Sequence, residues 1–540
     1  MKKNSFIEGA VIATLGIVFV KLIGILYVIP FYSIIGERGG ALYGYGYNIY
    51  QLFLGISSAG FPFAISKITS EYNALGYNKA VKDTYKIATK IILLISLIIF
   101  GLLFGFAPQI GRFIIGSATN GNTYNDIAFV IRMVSFSILV VPFLSVSRGF
   151  LQGYKFITPG TNSQIIEQLV RVGVILVGSF LVLRTFHMGL TMAVGVSVFA
   201  SFVGGVVSYA YLKRKISKSK LLLKEYAIDE KVITKKEIVK KILSYSVPFI
   251  LISLAYNLYN TVDMILVLRT LGDMLKYDGA KIESIMSIYT TWGSKLNMII
   301  LAVSTGIVTS LIPNIVSSFA KKNMVDVNRK VNKAMQCTLM LVVPLTLFLS
   351  ILAKPVWTLF YGASHYGPLV YRVFVYTALF GSFYSVITNV LQGLSKYKLV
   401  ITSVFVGLLI NALLDIPLML LANKLGTEPY YGASVATAIG YSISIYMALH
   451  VLKKKYDFNF TSTKTKILPF VFSWVAFIGS IEILKLFIPI DLSGRLIQLP
   501  ILAVYGIVSF GIYVLINYLN GNIYEVFNFK LGKKHPKVEL

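Results

Sequence analysis

Apolar runs of about 20 residues, each long enough to cross a hydrocarbon core roughly 30 Å thick, recur from one end of this chain to the other. Fourteen can be placed, at 6–30, 42–66, 87–108, 127–147, 161–183, 189–212, 242–268, 287–316, 334–353, 369–391, 399–422, 431–452, 467–488 and 497–518. In lipid the backbone of such a run must satisfy its own N–H and C=O groups, which helices do segment by segment. The expected fold class is therefore an all-α polytopic membrane protein with about 14 transmembrane helices. MKKNSF leads straight into the first run with no small-residue cleavage site, so no cleavable signal is expected.

The chain holds 51 Lys and Arg against 22 Asp and Glu, a net charge of +29. In a soluble protein that excess would suggest nucleic acid. Here the cations collect in short loops between apolar runs, the signature of cytoplasmic loops, and no nucleic-acid partner is expected. Most cations fall on the side of the N-terminus, which puts both termini in the cytoplasm. The largest cluster, Lys213–Lys241, separates the sixth and seventh runs. It reads as a solvated topological anchor and linker, or as a patch for anionic lipid headgroups. Cys337 is the single cysteine, so no internal disulfide is possible, and its apolar setting marks a packing residue. There is no His/Cys metal cluster and no phosphate-cradling Gly-rich loop before a helix, so ATP hydrolysis is not expected. The Gly36–Tyr47 run, GERGGALYGYGY, lacks a P-loop lysine; its glycines suit a tight turn and close helix contacts.

The chain also repeats itself. LQG at Leu151–Gly153 returns at Leu391–Gly393, IIG ending at Gly36 pairs with TLG ending at Gly272, and GISSA around Ser57 pairs with AVSTG around Ser304. Each offset is close to 240 residues and each match falls at the same place in its half. Two pseudo-symmetric six-helix lobes follow: an N-lobe over 1–212, the basic cytoplasmic linker over 213–241, and a C-lobe over 242–455. A two-helix extension and cytoplasmic tail over 456–540 lie outside the repeat. Parallel repeats of this kind suit a transporter whose substrate binds between lobes.

These features, with PFYSIIGERGGALYGYGYNIYQLF (Pro30–Phe53), SSAGFPFAISKITSEY (Ser57–Tyr72), SRGFLQGYKFITPG (Ser147–Gly160), EQLVRV (Glu167–Val172) and ATAIGYSIS (Ala436–Ser444), carry a resemblance over nearly the whole chain. The chain resembles the polysaccharide-exporter and MurJ-like branch of the multidrug/oligosaccharidyl-lipid/polysaccharide flippase superfamily, and within it the Gram-positive YtgP/SpoVB type. The resemblance implies a flippase, not an enzyme. Its implied cargo is lipid II, the undecaprenyl-pyrophosphate-linked peptidoglycan precursor, carried from the inner to the outer leaflet of a bacterial cytoplasmic membrane by alternating access. It also implies that the last two helices form an apolar groove for the polyprenyl tail, and that the first, second, seventh and eighth line the cavity.

Charges inside the runs mark the candidate sites, because each costs roughly 2.5–3.5 kcal/mol at the bilayer centre. Lys21 in the first run and Lys295 in the eighth have no acid at helical spacing. Both are read as contacts for the anionic headgroup, and the resemblance implies cationic residues near both places. It also implies an Arg-Asp pair where this chain has Tyr27 and Val28, so this cavity would carry fewer cations. Arg269, ending the seventh run, is a candidate for lining the exit or a topology determinant. Glu167 and Arg171 are i,i+4 in the fifth run, where each can neutralise the other; they read as a structural or lobe-coupling pair. Arg148 reads as a topology determinant. Asp263, the i,i+4 pair Asn411 and Asp415, and Thr437 with Ala433 one turn earlier supply hard oxygen ligands from three runs. Such donors suit a small cation better than a transition metal, and the resemblance implies a sodium site there. No organic cofactor is expected; Na⁺ is the candidate coupling ion. Membrane lipids are the other expected partners, and a two-lobed transporter can work as a single chain.

Three other readings compete. The cargo is another undecaprenyl-linked oligosaccharide or a sporulation-specific precursor. The chain is a drug/cation antiporter, against which the two extra helices argue. Or it is a membrane glycosyltransferase, which would need paired carboxylates in a long outer loop. The longest such loop, about Arg269 to Met286, holds Asp273, Asp278 and Glu283 without an evident pairing.

Overall fold

The computed structural model describes residues 6–116, 121–219, 221, 233–490 and 494–527. Of the basic linker expected over 213–241, residues 220 and 222–232 lie outside the described residues, as does the tail from 528 onward.

No strand occurs among the described residues. Fourteen helical segments follow the fourteen apolar runs in order. They are α1 (Phe6–Leu26), α2 (Val28–Ala74), α3 (Asn78–Gly105), α4 (Tyr124–Gly153), α5 (Ile157–Thr185), α6 (Leu190–Lys218), α7 (Lys235–Met274), α8 (Gly279–Ala320), α9 (Met324–Ile351), α10 (Tyr366–Gly393), α11 (Tyr397–Lys424), α12 (Pro429–Tyr456), α13 (Thr461–Phe487) and α14 (Gln498–Leu519). Thirteen of them are long and apolar enough to cross a membrane, and α1 contributes a shorter apolar stretch, Ile12–Leu26. The chain is thus an all-α, multi-pass membrane protein.

Local chemistry explains where the segments start and break. Capping boxes open α4 (Thr123 with Asp126) and α7 (Thr234 with Glu237), satisfying backbone donors that the first turn leaves orphaned. Within α2 the helix is interrupted at Gly36, whose φ of 63° gives the turn expected of the glycine-rich run, and again at Ala59–Gly60, ahead of Pro62. Wide π-type turns occupy Val174–Gly178, Leu181–Thr185, Thr270–Met274 and Ile288–Trp292. Most of the stretch expected to form an outer loop is helical: α7 runs on to Met274 and α8 begins at Gly279. Short helices Ala107–Ile115, Ala353–Tyr361 and Asn522–Phe527 accompany the long ones.

By compactness the chain divides into two units. The first comprises residues up to Met298 with Val404–Gly440; the second comprises Ile299–Ser403 with Tyr441 onward. These boundaries cut through α8, α11 and α12, whereas the six-plus-six-plus-two division follows sequence symmetry; the two describe different properties of the chain. In the second unit Tyr513 of α14 donates to the Met340 carbonyl of α9 at 2.8 Å, and Cys337 is buried as a free thiol. Lys485 and Glu482 pair locally at 2.8 Å on α13. A cavity of about 930 Å³ lies between α8, α9, α13 and the Asn522–Phe527 helix.

The first unit holds all the candidate site residues. Its α2 and α7 approach closely because Gly60 leaves room: a Cβ there would lie 2.4 Å from the Ser246 carbonyl oxygen. Gly60 also has φ 73°, a left-handed conformation costing other residues about 1–2 kcal/mol. Gly60→Ala is therefore expected to lose about 2–4 kcal/mol through strain and overpacking together. The check is the thermal unfolding midpoint of the purified chain, where an unchanged midpoint would refute this account of the α2–α7 contact.

Candidate functional site

Two constellations form in the first unit. In the first, α1 lies along α5. Gly16 allows the approach, since a Cβ there would lie 2.1 Å from Thr161 Cγ2, and further along Gly24 faces the Gln168 side chain. One turn on, Tyr27 marks the break between α1 and α2. Beyond the Gly36 turn, α2 presents Tyr43, Tyr47 and Tyr50 at i, i+4 and i+7. Tyr43 and Tyr47 stack at 5.4 Å, and Tyr47 meets Tyr50 at 5.6 Å.

Onto this tyrosine face comes Lys295 of α8. Its Nζ lies 5.5 Å from the Tyr27 ring centre and 6.0 Å from that of Tyr47. Glycines bring α8 so near. A Cβ at Gly40 would lie 2.1 Å from the Trp292 indole nitrogen, and one at Gly44 would lie 2.0 Å from Thr290 Oγ1. The Thr291 hydroxyl donates to the Gly40 carbonyl at 2.8 Å. Lys295 is half-buried and forms no ion pair with a carboxylate among the described residues. Lys21 is half-buried on α1. Arg269 is differently engaged: its Nε donates to the Phe113 carbonyl at 2.9 Å, and the guanidinium lies 5.0 Å from the Phe113 ring. It closes the end of the Ala107–Ile115 helix.

The expected Glu167–Arg171 pair does not form. Glu167 instead accepts from Arg148 of α4 at 2.7 Å. Arg148 also donates to Ser163 at 2.8 Å and to Ser208 at 3.3 Å, so it satisfies three acceptors on α5 and α6 at once. That network outcompetes the local i,i+4 contact. Arg171 donates to the neutral amide of Gln168, with Tyr47, Glu167, Tyr43 and Tyr27 in its electrostatic surroundings.

The second constellation joins α7, α11 and α12. The Asp263 carboxylate accepts from the Asn411 amide and from Thr437 Oγ1, the latter at 2.8 Å. Thr437 also donates to the Ala433 carbonyl at 3.0 Å. Asn411 and Asp415 are fully buried. Asp415 faces the Asp263 carboxyl across the site, and apart from that contact both Asp415 carboxylate oxygens and Asn411 Oδ1 lack a hydrogen-bond partner. Gly440 lets α12 approach: a Cβ there would sit 2.9 Å from Asn411 Cβ. Orphaned buried oxygens beside a second carboxylate are costly, and a small hard cation is what such a set fits. No group of three or more His, Cys, Asp or Glu that could hold a metal ion is found among the described residues.

Two sets of polar contacts tie α7 and α8 to the elements before them. At one end Lys241 pairs with Glu71 at 2.5 Å and lies 4.7 Å from the Tyr72 ring. At the other, Glu283 is buried on α8. It accepts from the Asn122 backbone at 2.9 Å, from the Asn122 amide at 2.8 Å and from the Tyr45 hydroxyl at 3.2 Å. Arg38 holds the same corner through the Gly121 carbonyl at 3.0 Å. Sequence reasoning left Glu283 in a loop and overlooked Asn122 and the tyrosine face; the i, i+4, i+7 spacing of Tyr43, Tyr47 and Tyr50 was the available signal.

Comparison with known proteins agrees with this architecture. The family model described as "Polysaccharide biosynthesis protein" matches residues 6–319. The lipid II flippase MurJ of Bacillus subtilis is 33% identical over 468 residues, 85% of this chain and 84% of that one. Among solved structures, the lipid II flippase MurJ in an inward closed conformation superposes with a TM-score of 0.67 at 18% identity, covering 95% of this chain and 99% of that one. An inward-facing multidrug resistance MATE family transporter superposes with a TM-score of 0.62 at 14% identity, covering 83% and 95%. At those identities the two structures bear on the fold alone. From the family match and the 33% identical relative, this chain belongs to the polysaccharide biosynthesis protein family, in its MurJ-like branch of membrane transporters rather than enzymes.

Proposed function

We propose that this chain is a flippase for lipid II or a closely similar undecaprenyl-pyrophosphate-linked precursor, working by alternating access between two six-helix lobes. The observation that carries the reading is Lys295: a cation at membrane depth, without a carboxylate partner among the described residues, seated over Tyr27 and Tyr47. A pyrophosphate would supply the missing counter-charge, and Lys21 on α1 is a further candidate contact. A headgroup of this kind cannot cross hydrocarbon unaided, whereas its polyprenyl tail can stay in lipid, beside the exposed apolar faces of α13 and α14. The B. subtilis relative makes lipid II the first cargo to test.

The same reading places both termini in the cytoplasm of a Gram-positive bacterium. The Lys241–Glu71 contact then lies inside and the Glu283 corner outside. Asp263, Asn411, Asp415 and Thr437, with the Ala433 carbonyl, would hold Na⁺, which would supply a gradient to reset the carrier. Arg269 would flank the exit.

Cells depleted of the chain, treated externally with an enzyme that cleaves lipid II, should show a several-fold smaller cleavable pool, restored by the wild-type gene. An undiminished pool, together with no flipping of lipid II by the purified chain in vesicles, would sink this cargo and leave another lipid-linked glycan.

A further inference from the structure

At the tyrosine wall the cargo site on this reading has one cation, Lys295, with Lys21 a further candidate on α1. A pyrophosphate carries more negative charge than one lysine balances. The structure offers a second cation that sequence spacing had assigned elsewhere. Glu167, the acid expected to neutralise Arg171, is held by Arg148 at 2.7 Å and acts on Arg171 only through space, without an ion-pair contact. Arg148 and Glu167 cancel, so Arg171 and Lys295 remain as two positive charges in excess. Arg171 makes no ion pair with a carboxylate among the described residues; its hydrogen bond goes to the neutral Gln168 amide.

Position agrees with charge. The α1–α5 contact puts Gln168 against Gly24, one turn before Tyr27, and Arg171 one turn along α5 beyond Glu167. Tyr27 and Tyr47 are neighbours of both cations: Lys295 lies over their rings, and both are in the electrostatic surroundings of Arg171. Each cation stands next to a wide helical turn, Val174–Gly178 after Arg171 and Ile288–Trp292 before Lys295. Such turns rotate the helix face and recur at functional sites. A guanidinium has five donors in a planar fork, and Gln168 uses only part of it.

We propose that Arg171 is a second cargo contact, binding one phosphate of a diphosphate through its fork while Lys295 meets the other. This rests on the flippase reading and adds to it a basis for selectivity: a diphosphate engages both cations, a monophosphate only one. Bidentate geometry is what arginine brings and lysine lacks.

The test uses the purified full-length chain in detergent, with farnesyl diphosphate and farnesyl monophosphate as probes in isothermal titration calorimetry. The wild type should prefer the diphosphate. Arg171→Gln should weaken diphosphate binding by about tenfold or more, the scale of one lost charge-assisted contact, and leave the monophosphate nearly unchanged. Lys295→Gln should weaken both. Arg171→Lys should keep the fold and show a reduced preference. Without ligand, Arg171→Gln should unfold close to the wild-type temperature, because the Arg148–Glu167 ion pair remains and only a hydrogen bond to a neutral amide is lost. If the diphosphate preference survives in Arg171→Gln and Arg171→Lys while Lys295→Gln weakens binding, this inference falls and the flippase reading stands. A glutamine variant that melts lower while the lysine variant keeps the full wild-type preference assigns Arg171 a structural role instead. If the wild type binds neither probe, this inference falls, and the flippase reading is decided separately by flipping of lipid II in vesicles.

Discussion

Replacing Lys295 with alanine is expected to abolish delivery of the lipid-linked precursor to the outer leaflet, while the amount of chain in the membrane stays unchanged. The cation lies 5.5 Å and 6.0 Å from two tyrosine ring centres and has no carboxylate partner among the described residues. Contacts of that kind return about 0.5–2 kcal/mol, less than the roughly 2.5–3.5 kcal/mol that a charge costs at the bilayer centre. The fold therefore gains little from Lys295, and its removal should not lower stability. A lost charge-assisted hydrogen bond to phosphate, about 1.5–3 kcal/mol, corresponds to about 10- to 100-fold in binding. Lys295→Arg should recover part of the activity, since charge returns with a different geometry. Cells complemented with each variant and assayed with the external lipid II-cleaving enzyme decide the matter. Full delivery by Lys295→Ala, at matched protein levels, would remove this residue from the site.

The second large effect is expected at Asp415. Its two carboxylate oxygens are buried with no donor beyond the neighbouring Asp263 carboxyl, which Asn411 and Thr437 already engage. A bound sodium ion would satisfy them. Sodium should then raise the unfolding midpoint of the wild type in proportion to its occupancy, about 2.7 kcal/mol at a concentration one hundred times the dissociation constant. Potassium at equal ionic strength should do much less. Asp415→Asn should lose the sodium response, and its unfolding midpoint should be the same in sodium and in potassium. Should sodium and potassium act identically on the wild type, these oxygens serve helix-to-helix contacts alone.

The architecture was legible because hydrocarbon imposes one rule on every segment: fourteen runs long enough to span became fourteen helical segments in the same order. The Gly36 turn was also legible, since a GERGG run suits little else. What sequence spacing could not supply was competition from other helices. Glu167 has Arg171 one turn away, yet Arg148 holds it, nineteen residues distant on α4, because Arg148 can satisfy Ser163 and Ser208 in the same stroke. Glu283 looked like one of three scattered loop acids until the structure placed Asn122 and Tyr45 around it. The oxygen constellation fared better. The i,i+4 spacing of Asn411 and Asp415 put them on one face, and the fold brought Asp263 and Thr437 to it.

The long sequence separation within that constellation bears on how the protein is made. Asp263 leaves the ribosome 148 residues before Asn411 and 174 before Thr437. At about 5–20 residues per second, α7 must wait on the order of 10–30 s before either partner exists. During that interval the acid has no Asn411 or Thr437 to share its charge with, and the first compact unit cannot close until Val404–Gly440 arrives. Membrane insertion of α7 is thus least favourable just after its own synthesis and is secured retroactively by α11 and α12. Truncation before α11 should leave a chain prone to losing α7 from the bilayer, and a leucine at position 263 should relieve that weakness in the truncated chain.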